Sequence, residues 1–281
     1  MTQLAAISKM NGLGNEIIIV DMRGRADRIT PQAARRLNQN RNTAFDQIMA
    51  VYDRENARAD YTIEIWNNDG SQAKACGNGT RCVAEWLYQQ GTGTDFTFDT
   101  AGGLVAAKRQ KNGMVCVDMG EPRLDWAEIP LSQPVADTNH VAFDCPPLKD
   151  ASLVSMGNPH AVFFMDNAID NLTLETYGAK LEHHPLFPEG ANISVAHVTS
   201  ASSLTLRTWE RGAGLTKACG TAACASVVAG HRRGLTGKTV IVTLPGGNLS
   251  ITLADDGHVI MTGPTEHEFS GWLDPKTGIL Q

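Results

Sequence analysis

Short apolar runs separated by glycine-bearing turns set the rhythm of this chain. Ile17-Ile18-Ile19-Val20 follows Gly12-Leu13-Gly14-Asn15 and predicts a buried strand. Residues 47–52 and 61–66 predict two more strands, the second alternating between apolar and polar positions. Thr30 followed by Pro31 is a helix-start signature, so 31–38 is predicted as a short helix. The polar stretch 67–82 then opens into a helical pattern over 83–90 that Gly91 ends. Strands at turn spacing follow over 95–100, 103–108 and 114–119, and 121–134, with its prolines, suits a crossover.

The later part of the chain repeats this plan. Strands are predicted over 161–165, 192–198 and 203–209, a helix over 172–182, and a second helix from Cys219, closed by Gly234. Strands over 239–244, 249–253 and 258–261 complete the series. Lys74-Ala75-Cys76-Gly77 recurs 143 positions on as Lys217-Ala218-Cys219-Gly220, and the same shift carries Gly14-Asn15 onto Gly157-Asn158 and Gly91 onto Gly234. Several matches on one offset imply two homologous halves, each with a central helix headed by a cysteine. The run from Cys219 to Gly230 is small and apolar on every side, which implies a helix enclosed by its own sheet. The expected fold is therefore α+β: two pseudo-symmetric domains, each a curved, mixed but mostly antiparallel sheet around a central helix. The expected boundaries are 1–120 plus 266–281 for the domain carrying Cys76, and 121–265 for the domain carrying Cys219.

Composition narrows the function. With 42% hydrophobic and 19% charged residues and a net charge of −6, the chain reads as a cytoplasmic protein without a nucleic-acid or membrane footprint. Its six cysteines form no CxxC pair and its histidines no HxxxH, so neither a disulfide framework nor a metal site is expected. Cys82, Cys116, Cys145 and Cys224 are read as buried small hydrophobes.

Cys76 and Cys219 differ because each sits where a helix begins among small residues. A helix N-terminus stabilises a thiolate, and its unpaired N–H groups seat a carboxylate. Two such ends aimed at one cavity suit inversion at a carbon bearing a carboxylate. One thiolate removes the α-proton and the opposite thiol protonates the other face. No metal, redox cofactor or pyridoxal phosphate is needed. The offset also carries Asn67-Asn68 onto Glu210-Arg211. Charge on one side only suggests a substrate whose far end is gripped, Arg211 holding a carboxylate and Glu210 an ammonium.

In these residues the chain resembles the diaminopimelate epimerases. The likeness rests on 9–15, 67–82, 155–160, 187–192 and 210–224, and runs nearly end to end. It implies a homodimer without cofactor that interconverts LL- and meso-diaminopimelate in lysine and peptidoglycan-precursor synthesis. It further implies that Gly77, Asn78, Gly220 and Thr221 seat the reacting carboxylate, and that Asn15 and Gln47 lie near the reacting amino group. Asn67, Asn158, Asn192, Glu210 and Arg211 would hold the distal centre, and His160 would support a catalytic thiol. Against the usual pattern, Asn11 replaces histidine, Glu16-Ile17 replaces Asp-Phe, Ala222 replaces glycine and Gly190 replaces arginine. The runner-up is a proline or hydroxyproline racemase on the same fold, which would not need Arg211 with three asparagines. A thiol redox protein with a reversible Cys76–Cys219 disulfide and a non-catalytic binding module are the readings from other classes.

Overall fold

The computed structural model describes residues 4–39, 43–167 and 169–280. The chain divides into two compact units, Met1–Asp118 with Thr262–Gln281, and Met119–Met261.

The first unit contains β1 (Ala5–Asn11), β2 (Glu16–Asp21), α1 (Pro31–Asn38), β3 (Gln47–Asp53), β4 (Tyr61–Asn67), β5 (Gln72–Ala73), α2 (Gly77–Gln89), β6 (Asp95–Thr100), β7 (Gly103–Arg109) and β8 (Val115–Asp118). The second contains β9 (Val141–Cys145), β10 (Leu148–Ser155), β11 (Pro159–Phe164), α3 (Leu174–Glu182), β12 (Asn192–Ser200), β13 (Ser203–Glu210), β14 (Gly214–Thr216), α4 (Gly220–Arg232), β15 (Thr239–Leu244) and β16 (Gly247–Leu253). β17 (Val259–Gly263) and β18 (Glu266–Leu273) end the series, β18 lying antiparallel to β1.

The two sheets share one pairing sequence. From β1 it runs antiparallel to β2, parallel to β3, antiparallel to β4, parallel to β6 and antiparallel to β7. From β10 the same alternation passes through β11, β12, β13, β15 and β16. A parallel neighbour needs a crossover connection, and each of the four parallel joins brackets one helix. The internal repeat in the sequence is therefore a repeat of strand topology.

Both faces of each sheet are covered, which explains the unbroken apolar run in β2. Ile18, Val20, Ile48 and Ala50 pack with Ala34 and Leu37 of α1. The intervening Ile17, Ile19, Met49 and Val51 are also buried, on the face that α2 covers. α2 touches β1, β2, β3, β7 and β8, so the sheet curls around it, and α4 is held likewise by β10–β13 and β16. The α4 side of the second sheet buries Ser152, His160, Asn192 and Ser194. Leu153, Phe163, Ile193 and Val195 instead form an apolar layer with Leu174 and Leu181 of α3.

Local signals explain the helix starts. Thr30 Oγ1 accepts the Ala33 N–H at 3.1 Å, with Pro31 in the first turn. Cys76 and Cys219 are the N-caps of α2 and α4, both with extended backbone. Cys82 and Cys224 are fully buried along these helices and Cys145 nearly so. Cys116 departs from the expected burial: it is half-buried, and its sulfur receives the Gln110 side-chain amide at 2.7 Å.

Glycine allows several close approaches, two of them within α2 and α3. A Cβ on Gly178 of α3 would overlap Cβ and Cγ of Trp209, whereas one on Gly79 of α2 would press on the thioether of Met49. The indole cannot yield near its root, but the thioether can swing. Gly178→Ala should therefore cost ~1–3 kcal/mol of unfolding free energy, and Gly79→Ala less, as read from urea denaturation midpoints.

Candidate active site

In the first unit the site grows from the start of α2. Cys76 Sγ accepts the Gly79 N–H at 3.2 Å and lies 3.9 Å from Asn15 Oδ1. The cysteine carbonyl takes the Thr80 N–H and hydroxyl, both at 2.9 Å. Among the described residues, the Gly77 and Asn78 N–H groups have no protein acceptor, as expected of the first helical positions. Asn78 is buried and accepts from the buried Arg81 at 2.9 Å.

Asn15 stands on a tight turn. Gly12 N–H donates to Asn15 O, Leu13 and Gly14 both have left-handed φ (67° and 86°), and Asn11 Oδ1 accepts the Gly14 N–H at 2.6 Å. Asn11 also donates to Glu16, which pairs with Lys9. The departures from the usual family residues at 11 and 16 thus form one local brace. Asp46 Oδ2 receives Asn15 Nδ2 at 3.1 Å and the Glu16 N–H at 2.8 Å, aiming the Asn15 amide. Gln47 and Asn67 face each other across β3 and β4, with Gln47 Nε2 donating to Asn67 Oδ1 at 3.0 Å. Asn67 in turn donates to Ser71 Oγ. This unit therefore gathers Asn15 with Cys76, and Gln47 with Asn67.

The second unit links its groups more tightly. His160 is fully buried, and burial followed by the Arg211 charge holds its imidazole down to a pKa of about 3. Neutral, it gives its Nε2 proton to Asn158 Oδ1 at 3.0 Å. Asn158 Nδ2 reaches Thr221 Oγ1 at 3.4 Å, and that hydroxyl lies 3.4 Å from Cys219 Sγ. His160 thus reaches Cys219 through two intermediaries. Glu210 also neighbours the thiol and accepts the Thr216 hydroxyl.

Buried Asn192 joins two strands: Nδ2 donates to Pro159 O and Oδ1 accepts the Arg211 N–H, each at 3.0 Å. The half-exposed Arg211 guanidinium rests on Glu189 O at 3.0 Å. Gly190 has φ +74°, and a side chain there would come 3.2 Å from Arg211 Cδ. The loop is held instead by Gly190 N–H on Phe187 O and Ala191 N–H on Glu182 O.

One expectation is corrected. The helix end was expected to lower the Cys219 thiol pKa, but burial, reinforced by Glu210, pushes it well up. The Thr221 hydroxyl and the Ala222 N–H pull the other way but do not offset this. Buried Cys82 is pushed up to about 12 for the same first reason. Cys219 is therefore a thiol at neutral pH. The sequence reading also missed Asp46, Glu182, Ser71 and Thr216, although Asp46 adjoins Gln47 and the other three lie near singled-out residues. Among the described residues, no group of three or more His, Cys, Asp or Glu is placed to hold a metal ion.

Two outcomes follow. Iodoacetamide should label half-buried Cys76 before Cys219 in the native protein, and Glu210→Gln should speed Cys219 labelling, as read by peptide mass spectrometry. For His160, the unfolded chain takes up a proton near pH 6.5, whereas the folded protein waits until about pH 3. Stability should therefore fall with acidification across that window, by up to ~1.4 kcal/mol per pH unit from this group. His160→Gln should flatten that slope in urea unfolding.

The comparisons bear on the whole chain. The family model described as diaminopimelate epimerase matches residues 7–124 and 152–268. A diaminopimelate epimerase of Bartonella bacilliformis is 59% identical over 271 residues, covering 96% of each chain. One of Brucella anthropi is 54% identical over 283 residues, covering 99% of this chain and 94% of the relative. Among solved structures, a probable proline racemase from Agrobacterium radiobacter superposes with TM-score 0.69 at 16% identity, covering 95% of this chain and 92% of the other. A PhzF-family phenazine biosynthesis protein of Bacillus anthracis gives 0.68 at 14%, covering 96% and 99%. These two likenesses show the fold alone. The two-segment family match and the full-length relatives show more: the chain belongs to the diaminopimelate epimerase family.

Proposed function

We propose that this chain is a diaminopimelate epimerase, interconverting the LL and meso forms with Cys76 and Cys219 as the proton-transferring pair. The observation that carries the reading is a cysteine N-cap on each of two central helices, one beside an asparagine amide and the other beside a carboxylate. The Gly77 and Asn78 N–H groups at the start of α2, with Gly220 and Thr221 at the start of α4, are suited to the carboxylate of the reacting centre. As the α-proton leaves, charge moves onto that carboxylate, where helix-end donors stabilise it more than they stabilise the ground state.

In one direction of the reaction Cys76 acts as the base and Cys219 as the acid. The Cys76 thiolate takes the α-proton, the C–H electron pair becomes the enediolate, and the Cys219 S–H bond gives its proton to the opposite face. The roles exchange when the reaction runs backwards. Positioned acid–base groups each supply roughly 10²–10⁴-fold, with electrostatic stabilisation the larger share. The chain's own thiols and N–H donors suffice for this without a cofactor. Asn15 and Gln47 would receive the reacting ammonium. Asn67, Asn158 and Asn192 with Glu210 and Arg211 would hold the distal amino-acid end. A homodimer in the cytoplasm, serving lysine and peptidoglycan-precursor synthesis, completes the proposal.

The test is incubation of LL-diaminopimelate with the protein in heavy water. Wild type should form the meso isomer with deuterium at the inverted carbon. Cys76→Ala and Cys219→Ala should each lower epimerisation by at least ~10³-fold. Turnover of proline without turnover of diaminopimelate would reject the assignment in favour of a racemase.

A further inference from the structure

Glu182, the last residue of α3, has a side chain only 8% exposed, yet it lies outside every sequence motif above. Its two carboxylate oxygens take separate donors: Oε2 accepts Trp209 Nε1–H at 2.7 Å and Oε1 accepts the Gly212 N–H at 2.8 Å. These partners stand on either side of Glu210-Arg211. Its carbonyl accepts the Ala191 N–H at 3.1 Å, next to Asn192, whose Oδ1 holds the Arg211 N–H. One residue therefore ties down both segments that present Arg211. One turn back on the same helix, Gly178 lets the base of Trp209 sit against α3, so the indole is fixed before its N–H is bonded.

Gly212 is the third residue of a β-turn closed by Ala213 N–H on Glu210 O, with φ +74°. On this turn the Gly212 N–H is taken by the Glu182 carboxylate. Glu210 is secured independently, through pairing of β13 with β14 and through the Thr216 hydroxyl. Among the described residues, Arg211 is held by Asn192 at its N–H and by Glu189 alone at its guanidinium, through the carbonyl at 3.0 Å and the exposed carboxylate at 4.0 Å.

We infer that Glu182 is a positioning residue that fixes Arg211 for recognition of the substrate's second, non-reacting carboxylate. This rests on the function proposed above. Bonds to a charged acceptor are roughly twice as strong as neutral ones, and a glutamine here can accept at only one of its two ends. Its amide nitrogen would face a second donor.

The experiment measures steady-state kinetics with LL-diaminopimelate for wild type, Glu182→Gln, Arg211→Met and the double variant, with near-UV circular dichroism as the check on folding. Glu182→Gln should raise KM about tenfold with kcat held within about threefold, because Arg211 rather than the thiols is disturbed. In the Arg211→Met background the same change should alter kcat/KM by less than about twofold. A purely structural glutamate would cost the same in both backgrounds, and that result overturns the inference, as does an unchanged KM in folded Glu182→Gln. Should that variant not fold, Trp209→Phe removes one donor to the carboxylate and should raise KM about threefold; an unchanged KM there is equally fatal. Inactive wild type would sink the functional reading and this inference together, whereas active wild type with either contrary result sinks the inference alone.

Discussion

An α-helix cannot satisfy its own first N–H groups, and this protein twice places a cysteine at that boundary. Capping normally falls to an oxygen-bearing side chain. At Cys76 a sulfur takes the cap bond instead, from Gly79. At Cys219 the sulfur lies beside the Thr221 hydroxyl, and a carboxylate stands near the thiol. The same backbone frame thus presents one sulfur to a neutral amide and the other to a negative charge. Duplicated topology supplies the symmetry, and a few side chains remove it.

The sheets make these helix starts possible. Each wraps its central helix closely enough that only small residues fit along α4, and each buries its other face under a second helix. Burial on both faces commits polar groups such as His160, Asn192 and Ser194 to internal partners. A buried amide without a partner costs more than a good hydrogen bond returns. The Asn158–His160 and Asn192–Pro159 contacts are therefore as much a condition of folding as of chemistry.

The elements with a strong local signature were legible in the sequence: the Thr30-Pro31 helix start, the apolar β2 run, both cysteine-headed helices and the topological repeat. β1, β9, β10 and β18 were not, because they carry charge, small residues or partial exposure, and their pairing is decided by distant strands. In the site, residue types at glycine-rich turns could be read directly. The protonation of Cys219 could not, since burial and Glu210 outweigh the helix end and neither is visible in local spacing. Asp46 and Glu182 were missed for a related reason: an acidic side chain bonded to backbone N–H groups looks, in one dimension, like any surface carboxylate. Gly190 is the reverse case, a departure from family habit that becomes intelligible beside the Arg211 stem.

The turn before β2 has a consequence for how such a protein can diversify. Leu13 holds a backbone conformation that an L-residue with a bulky side chain rarely adopts, at a cost of order 1–3 kcal/mol. Three constraints keep it there: the Asn11 side chain, the Gly12–Asn15 bond, and the missing Cβ of Gly12 where the chain lies on Asn78. A loop pinned at so many points has almost no freedom to lengthen or re-aim. Changes that leave the Asn11 contact intact, such as at position 16 of the outer brace, leave the curve of the chain that carries Asn15 fixed.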